Sequence, residues 1–160
     1  MKSPDISNWK NLTEEQREDV CINQKLTQAF INKHWKDLTG HQRTYICTSQ
    51  KLTQTFISKH WEELEGDDLF IYAKQKLSQT FITKIWNNLT ETERNYICQY
   101  QKLTQVFISK YWNELTEIQR AYIYTYQGLL PGLKEKLLNG ERELKTTKSG
   151  RYIDMNFEDF

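Results

Sequence analysis

Proline, glycine and long apolar runs are all scarce in this sequence. Only 2 of its 160 residues are proline and 6 are glycine, so few positions interrupt regular backbone structure. No apolar run approaches the ~20 residues that cross a membrane, and the N-terminus lacks the basic and apolar regions of a secretory signal. The sequence therefore predicts no membrane partner and a soluble protein of the cytoplasm, or a secreted one with an unfamiliar signal.

A strong charge of one sign is also missing. The 22 Lys and Arg residues nearly balance the 21 Asp and Glu residues, which leaves a formal net charge of +1. Such a balance gives no general attraction to nucleic acid or to anionic lipid. The motifs of nucleophile elbows, phosphate-binding loops, zinc proteases and calcium loops are absent as well. The sequence therefore predicts neither an enzyme nor a bound cofactor or metal.

Aromatic residues, by contrast, are frequent and regularly spaced. Five tryptophans follow one another at intervals of 26, 26, 25 and 26 residues: Trp9, Trp35, Trp61, Trp86 and Trp112. The block Q-K-L-T-Q or Q-K-L-S-Q recurs with them, beginning at Gln24, Gln50, Gln75 and Gln101. A fixed period in the range of roughly 20–50 residues is typical of stacked repeats.

Each repeat has the pattern of two short helices. A threonine with Gln or Glu three residues later is the capping box that starts a helix, and it opens the first helix at Thr13, Thr39, Thr90 and Thr116. The second helix begins at Thr27, Thr53, Ser78 and Thr104. The third repeat has lost one residue and its threonine, and Asp67 is the predicted replacement cap. The pattern predicts an all-α fold, a short solenoid of tandem two-helix repeats with period 26 and atypical end caps.

The predicted repeat array occupies residues 1–128 and opens with a truncated helix capped by Ser3. Residues 129–160 form a C-terminal region with a short helix from Leu133 to Asn139 and an acidic, aromatic tail over 151–160. The tail either docks back on the last repeat or binds a partner, and the sequence favours neither.

The predicted core combines one stripe from each kind of helix. The second helices carry an apolar stripe with helical period that ends in Trp and Leu, and the tryptophans are expected to form one continuous ladder. The first helices are expected to add aromatic-isoleucine pairs at Tyr45-Ile46, Phe70-Ile71, Tyr96-Ile97 and Tyr122-Ile123. His34 and His60 occupy a stripe position that holds Ile85 and Tyr111 elsewhere, so we interpret them as packing residues rather than metal ligands or bases.

The three cysteines fall at one repeat position. Cys21, Cys47 and Cys98 share it with Tyr72 and Tyr124. Equivalent positions on neighbouring packed helices lie ~9–10 Å apart, beyond the ~7 Å that a disulfide spans. No C-x-x-C pair is present for zinc. We therefore expect buried, reduced packing residues.

Polar residues that are unchanged between repeats are the candidate binding residues. Lysine recurs at two positions of every repeat, and arginine at a third: Lys25, Lys51, Lys76, Lys102; Lys33, Lys59, Lys84, Lys110; and Arg43, Arg94, Arg120. One explanation is structural, with carboxylates four residues after Lys33, Lys59 and Lys110 and glutamines that bridge adjacent repeats. The other is a ladder of cations that reads a phosphate backbone or an acidic protein face.

The phrase Q-K-L-T-Q-x-F-I-x-K-H-W-x-x-L resembles the repeats of tandem-repeat proteins from bacteriophage and giant-virus genomes. Their units run close to Y-Q-K-L-S-E-x-F-I-x-K-H-W-x-x-L. The resemblance covers residues 9–126, with a longer first helix and a slightly greater period in this chain. It implies a viral or mobile-element origin, hence the cytoplasm of a host cell, and no particular activity.

These observations predict a non-enzymatic helical-repeat protein that docks on another protein. Inhibition of a host defence component is the hypothesis that the viral resemblance suggests. The alternative is binding of a nucleic-acid backbone through the repeated Lys and Arg rows. Base stacking needs exposed aromatic faces, and the aromatic residues here are expected to be buried.

Overall fold

The described part of the chain is helical throughout. The computed structural model describes residues 5–64 and 68–139, and all regular secondary structure in these ranges is α-helix or 3-10 helix. None of the helices described is long and apolar enough to cross a membrane. The chain divides into two compact units, Met1–Lys102 and Leu103–Phe160. The predicted all-α class is confirmed.

The first unit alternates two kinds of helix. In chain order its α-helices are α1 (Glu14–Asn23), α2 (Gln28–His34), α3 (Gly40–Ser49), α4 (Gln54–Lys59), α5 (Asp68–Lys74), α6 (Gln79–Ile85) and α7 (Glu91–Tyr100). Odd-numbered helices are the first helices of the sequence repeats, and even-numbered ones are the second helices. Short 3-10 helices lie at Ile6–Asn11, Trp35–Asp37, Trp61–Leu64 and Trp86–Asn88.

The predicted helix starts are confirmed where the structure describes them. The Thr13 hydroxyl accepts a hydrogen bond from Gln16 N at 3.2 Å, and Gln16 Oε1 accepts one from Thr13 N at 3.0 Å. The same reciprocal pair opens α3 and α7. Side-chain caps also open the second helices, at Thr27, Thr53 and Ser78. The predicted caps Asp67 and Ser3 lie outside the described residues, and Asp5 caps the N-terminal 3-10 helix.

The second helices end earlier than the sequence predicts. The apolar stripe from Phe30 to Leu38 was expected on one α-helix, but α2 ends at His34 and Trp35–Asp37 is a 3-10 helix. Leu38 N donates to Trp35 O at 3.3 Å and closes the tighter turn. A 3-10 helix has about 3.0 residues per turn, so side chains four residues apart no longer face each other there.

The tryptophans lie inside the first unit, but they do not form an unbroken ladder. Trp9, Trp35 and Trp86 are at most 3% exposed, while Trp61 is half-buried. Each of three indole rings meets a phenylalanine of the next second helix in a T-shaped contact, with centroid distances of 5.2 Å for Trp9–Phe30, 4.9 Å for Trp35–Phe56 and 5.0 Å for Trp61–Phe81. Phenylalanine rings therefore alternate with the tryptophans, and the half-buried Trp61 departs from the prediction that the tryptophans lie inside the stack.

The first helices pack directly against one another in the order α1, α3, α5, α7. Their isoleucines are buried as predicted, at Ile46, Ile71 and Ile97. The aromatic residue before each isoleucine is not fully buried. Phe70 is 43% exposed, and Tyr45 and Tyr96 are half-buried. Successive side chains on an α-helix point about 100° apart, so a helix that buries the isoleucine turns its predecessor toward the edge. The prediction that these aromatic residues belong to the core is wrong.

The three cysteines are buried and none of them forms a disulfide, as predicted. Burial raises the pKa of the Cys21 thiol to about 11 and that of the Cys98 thiol to about 12. Cys47 and Tyr72, at the same repeat position, are both 0% exposed. The position therefore holds a packing side chain.

The second unit contains α8 (Gln105–Tyr111), a 3-10 helix (Trp112–Glu114) and α9 (Glu117–Tyr126). Its buried side chains include Ile108, Trp112 and Ile123. Residues 131–139 are also helical, so this helix begins at Pro131, two residues before the predicted start at Leu133. Proline suits the first position of a helix, where its missing N–H would have no partner. The tail over 151–160 lies outside the described residues.

Candidate binding surfaces

Three glutamines of the first unit bind the main chain of the preceding repeat. The side chain of Gln75 is 5% exposed. Its Nε2 donates to the carbonyls of Cys47 and Gln50, both at 2.7 Å, and its Oε1 accepts from Leu52 N at 2.9 Å. Gln50 and Gln101 make the same three kinds of bond one repeat earlier and one repeat later. We call Gln50, Gln75 and Gln101 the glutamine relay.

A second glutamine position has the same structural role. Gln28 Oε1 accepts from Thr53 N at 2.9 Å, and Gln54 Oε1 accepts from Ser78 N at 2.6 Å. In the second unit, Gln105 Oε1 accepts from Leu130 N at 3.2 Å. The prediction that the repeated glutamines bridge adjacent repeats is therefore confirmed in the first unit, and these amide groups are engaged inside the fold.

The repeated arginines lie on the tryptophans. The guanidinium carbon of Arg43 is 5.1 Å from the centroid of the Trp35 ring, and that of Arg94 is 5.2 Å from Trp86. In the second unit, Arg120 stacks on Trp112 at 5.4 Å and its Nε donates to the Trp112 carbonyl at 3.2 Å. All three arginines are half-buried. The cation–π contact is common to all three arginines and accounts for their repetition.

The candidate lysines, in contrast, all lie exposed: Lys25, Lys33, Lys51, Lys59, Lys76, Lys84, Lys102 and Lys110. No ion pair within the described ranges includes any of them. The expected pair between Lys33 and Asp37 is absent because the α-helix ends between them. Asp37 instead lies 3.8 Å from His34, three residues back. In the second unit, Lys110 Nζ donates to the Tyr111 hydroxyl at 3.1 Å. The structural explanation for the repeated glutamines and arginines thus does not extend to the lysines of the first unit.

One carboxylate links several residues of the second and third repeats. Glu63 Oε1 lies 2.9 Å from His60 Nδ1, and Glu63 Oε2 accepts from Trp35 Nε1 at 2.9 Å. Arg43 is 3.9 Å from the same carboxylate. The hydrogen bond with His60 is the main cause that lowers the pKa of Glu63. Because His60 packs on Phe56 with ring centroids 4.6 Å apart, the cluster has a clear structural role.

The histidines are packing residues, as predicted. His34 is 6% exposed and its ring centroid lies 4.6 Å from that of Phe30. Burial, and then the nearby Lys33 charge, lower the pKa of His34. The described residues contain no group of three or more His, Cys, Asp or Glu side chains placed to hold a metal ion.

Sequence reasoning missed a surface of aromatic side chains on the first helices. Tyr45, Phe70 and Tyr96 occupy the same repeat position in α3, α5 and α7, and we call them the aromatic row. Tyr100, which is 51% exposed, lies one turn after Tyr96 with ring centroids 5.6 Å apart. A signal was available, since α1 carries Asp19 at this position, and a position that accepts a carboxylate is poorly suited to a core.

The second unit shows a similar pair by itself. The rings of Tyr122 and Tyr126 lie 6.2 Å apart on α9, and Tyr126 is 55% exposed.

Comparison of the chain with protein-family models, with curated proteins and with solved structures gives no match.

Proposed function

We propose that this chain is a non-enzymatic binding protein, a short solenoid of two-helix repeats that docks on an acidic face of another protein. The docking residues are Lys33, Lys59 and Lys84, one on each second helix of the first unit, which we call the lysine row. The observation that carries the proposal is the contrast between repeated residues. Glutamine and arginine are engaged in the fold, whereas these lysines are exposed and have no carboxylate of the described ranges within 4 Å.

A protein partner is favoured over a nucleic acid by the charges beside the lysine row. Each of Lys33 and Lys59 is followed within four residues by an exposed carboxylate, at Asp37 and at Glu62 and Glu63. Binding to a phosphate backbone depends on uncompensated positive charge and on the release of counterions. A surface of alternating sign matches a protein face better, because electrostatic complementarity there sets register and specificity.

The buried groups support a binding role rather than catalysis. The histidines of the second helices pack against phenylalanine rings, and the thiols of Cys21 and Cys98 have raised pKa values that disfavour the nucleophilic thiolate. These side chains are therefore engaged in stabilising the helices. An origin in a phage or mobile element, with a host defence component as target, remains our hypothesis from the repeat sequence.

The test compares two triple variants with equal changes of charge. Lys33→Ala/Lys59→Ala/Lys84→Ala removes the lysine row, and Lys10→Ala/Lys36→Ala/Lys74→Ala removes three other exposed lysines. Each is titrated with a labelled acidic peptide and with a single-stranded oligonucleotide of equal charge, at two salt concentrations. Both variants and the wild type are also used to capture proteins from a bacterial lysate.

We expect the wild type and the control variant to bind the acidic peptide and to retain the same lysate protein, and the lysine-row variant to lose both. Equal losses in the two variants would show that only net charge matters and would contradict the proposal. Tight oligonucleotide binding at physiological salt that disappears with the lysine row would instead identify the partner as nucleic acid.

A further inference from the structure

The aromatic row lies on different helices from the lysine row and offers a second surface. Phe70 is 43% exposed, and Tyr45 and Tyr96 are half-buried. No hydrogen bond among the described residues uses the hydroxyl of Tyr45 or Tyr96, and a phenol can donate to a ligand carbonyl. Tyrosine and phenylalanine are enriched in protein interfaces because they bury a large area at a small cost in side-chain entropy.

The spacing of the row is set by the packing of its helices. α3, α5 and α7 are direct neighbours, and packed helices lie about 8–10 Å apart. Equivalent positions on the three helices are therefore expected to repeat at steps of about 9 Å. A polyproline II helix has three residues per turn and a rise of 3.1 Å, so its repeat is also about 9 Å. Every third residue of such a segment would meet the next ring.

The charges along the same repeat position indicate the ends of the ligand. In α1 the position holds Asp19, and Glu18 precedes it; both side chains are half-buried. In α5 the exposed Lys74 lies one turn after Phe70, which disfavours a cation in the middle of the ligand. A basic residue is thus best placed at the end of the ligand that lies over α1.

We propose that the aromatic row binds a proline-rich segment of another protein in the polyproline II conformation, with proline at every third position and a basic residue beside Asp19 and Glu18. Such segments pay little ordering entropy on binding, because the conformation is already populated in the free peptide. The rings pack on the pyrrolidine faces, and the tyrosine hydroxyls donate to the carbonyls that a polyproline II backbone leaves unpaired.

The probes are labelled synthetic peptides with four Pro-x-x units, where x is Ala or Gln, and one arginine. Since such a helix can lie in either direction, one peptide carries the arginine first and another carries it last. The control peptide has the same composition with all prolines collected at one end. An oligothymidylate of similar length reports whether the rings stack on bases instead.

The protein variants separate this surface from the lysine row. Tyr45→Ala/Phe70→Ala/Tyr96→Ala should weaken binding of the periodic peptide by at least tenfold, as expected for loss of aromatic anchors. Circular dichroism and the urea midpoint check that this variant remains folded. Tyr45→Phe/Tyr96→Phe, which keeps the rings, should retain most of the affinity. The lysine-row variant should bind the peptide as the wild type does.

Charge exchange tests the polarity. Asp19→Lys should weaken binding of the arginine peptide. It should strengthen binding of a peptide in which glutamate replaces the arginine. Equal binding of the periodic and control peptides would overturn the proposal, and so would the absence of binding at millimolar peptide. Binding of oligothymidylate that is lost with the aromatic row would overturn it in favour of base stacking. Because the substitutions that decide this proposal leave Lys33, Lys59 and Lys84 unchanged, its failure leaves the proposed function standing, and the reverse also holds.

Discussion

Replacement of Gln75 by leucine tests the role of the glutamine relay. Leucine has nearly the same volume, so the change removes hydrogen bonds without opening a large cavity. It leaves the carbonyls of Cys47 and Gln50 and the amide of Leu52 without the partners that Gln75 supplies. A buried polar group without a partner costs roughly 1–3 kcal/mol. Because water can hydrate some of these three groups in the variant, we expect the free energy of unfolding to fall by about 3–5 kcal/mol.

The measurement is urea denaturation followed by circular dichroism and tryptophan fluorescence. A loss of that size is a large part of the roughly 5–15 kcal/mol that stabilises a typical domain, so the midpoint should fall strongly. Gln99→Leu is the matched control, because Gln99 is a half-buried glutamine of α7 and should change stability by less than about 0.5 kcal/mol. A loss below about 1 kcal/mol for Gln75→Leu would refute the assigned role of the relay.

Gln75→Glu tests the same site through the pH dependence of the free energy of unfolding. An ionised glutamate would face the two carbonyls that now accept from Nε2, so we expect its pKa to be raised in the folded state. A raised folded-state pKa means that stability is greatest below the unfolded pKa and is lost as pH rises through the folded one. The variant should therefore be closest to wild type at acidic pH. Stability that increases from acidic to neutral pH relative to wild type would contradict the geometry.

Three further predictions follow from packing. Trp35→Ala should lower the free energy of unfolding by about 3–5 kcal/mol, because Trp35 is 1% exposed. Trp61→Ala should lower it by less, because Trp61 is half-buried. Equal urea midpoints for the two variants would contradict this prediction. Arg94→Met, which keeps the apolar stem, should lower the free energy of unfolding by about 1–2 kcal/mol through loss of the cation–π contact with Trp86, and Arg94→Lys should recover only part of it in the same assay. A thiol reagent at pH 8 should leave Cys98 unmodified in the native protein and label it on unfolding, because burial raises its pKa to about 12; rapid native labelling would show that the site opens readily.

Helix starts could be predicted from the sequence because they depend on few neighbouring residues. A capping box requires only Thr13 and Gln16, which are three positions apart, and both hydrogen bonds are present. The all-α class follows from four such boxes and an apolar stripe of helical period. The ends of the second helices could not be predicted in this way. The change to a 3-10 helix at Trp35 fits the packing of its ring on Phe56, which lies on the next second helix.

The candidate surfaces could be predicted only in part, because their side chains are distinguished by contacts with other repeats. Repetition pointed to glutamine, arginine and lysine alike, and only contacts between repeats separate them. Gln75 bonds residues 23–28 positions away, a distance along the chain that local patterns do not cover. The aromatic row was assigned to the core because composition alone does not show on which side of the isoleucine the helix is buried. Asp19 at the equivalent position was the one local indication.

The hydrogen bonds of the glutamine relay do not depend on which side chains the preceding repeat carries. Every bond of Gln75 ends on a backbone atom, and so does every relay bond of Gln101. Gln101 therefore bonds the carbonyl of Tyr72 as readily as Gln75 bonds that of Cys47. Any preceding repeat that presents the same backbone can therefore satisfy the relay glutamine. Copying or reordering repeats would change the exposed side chains and leave these hydrogen bonds unchanged.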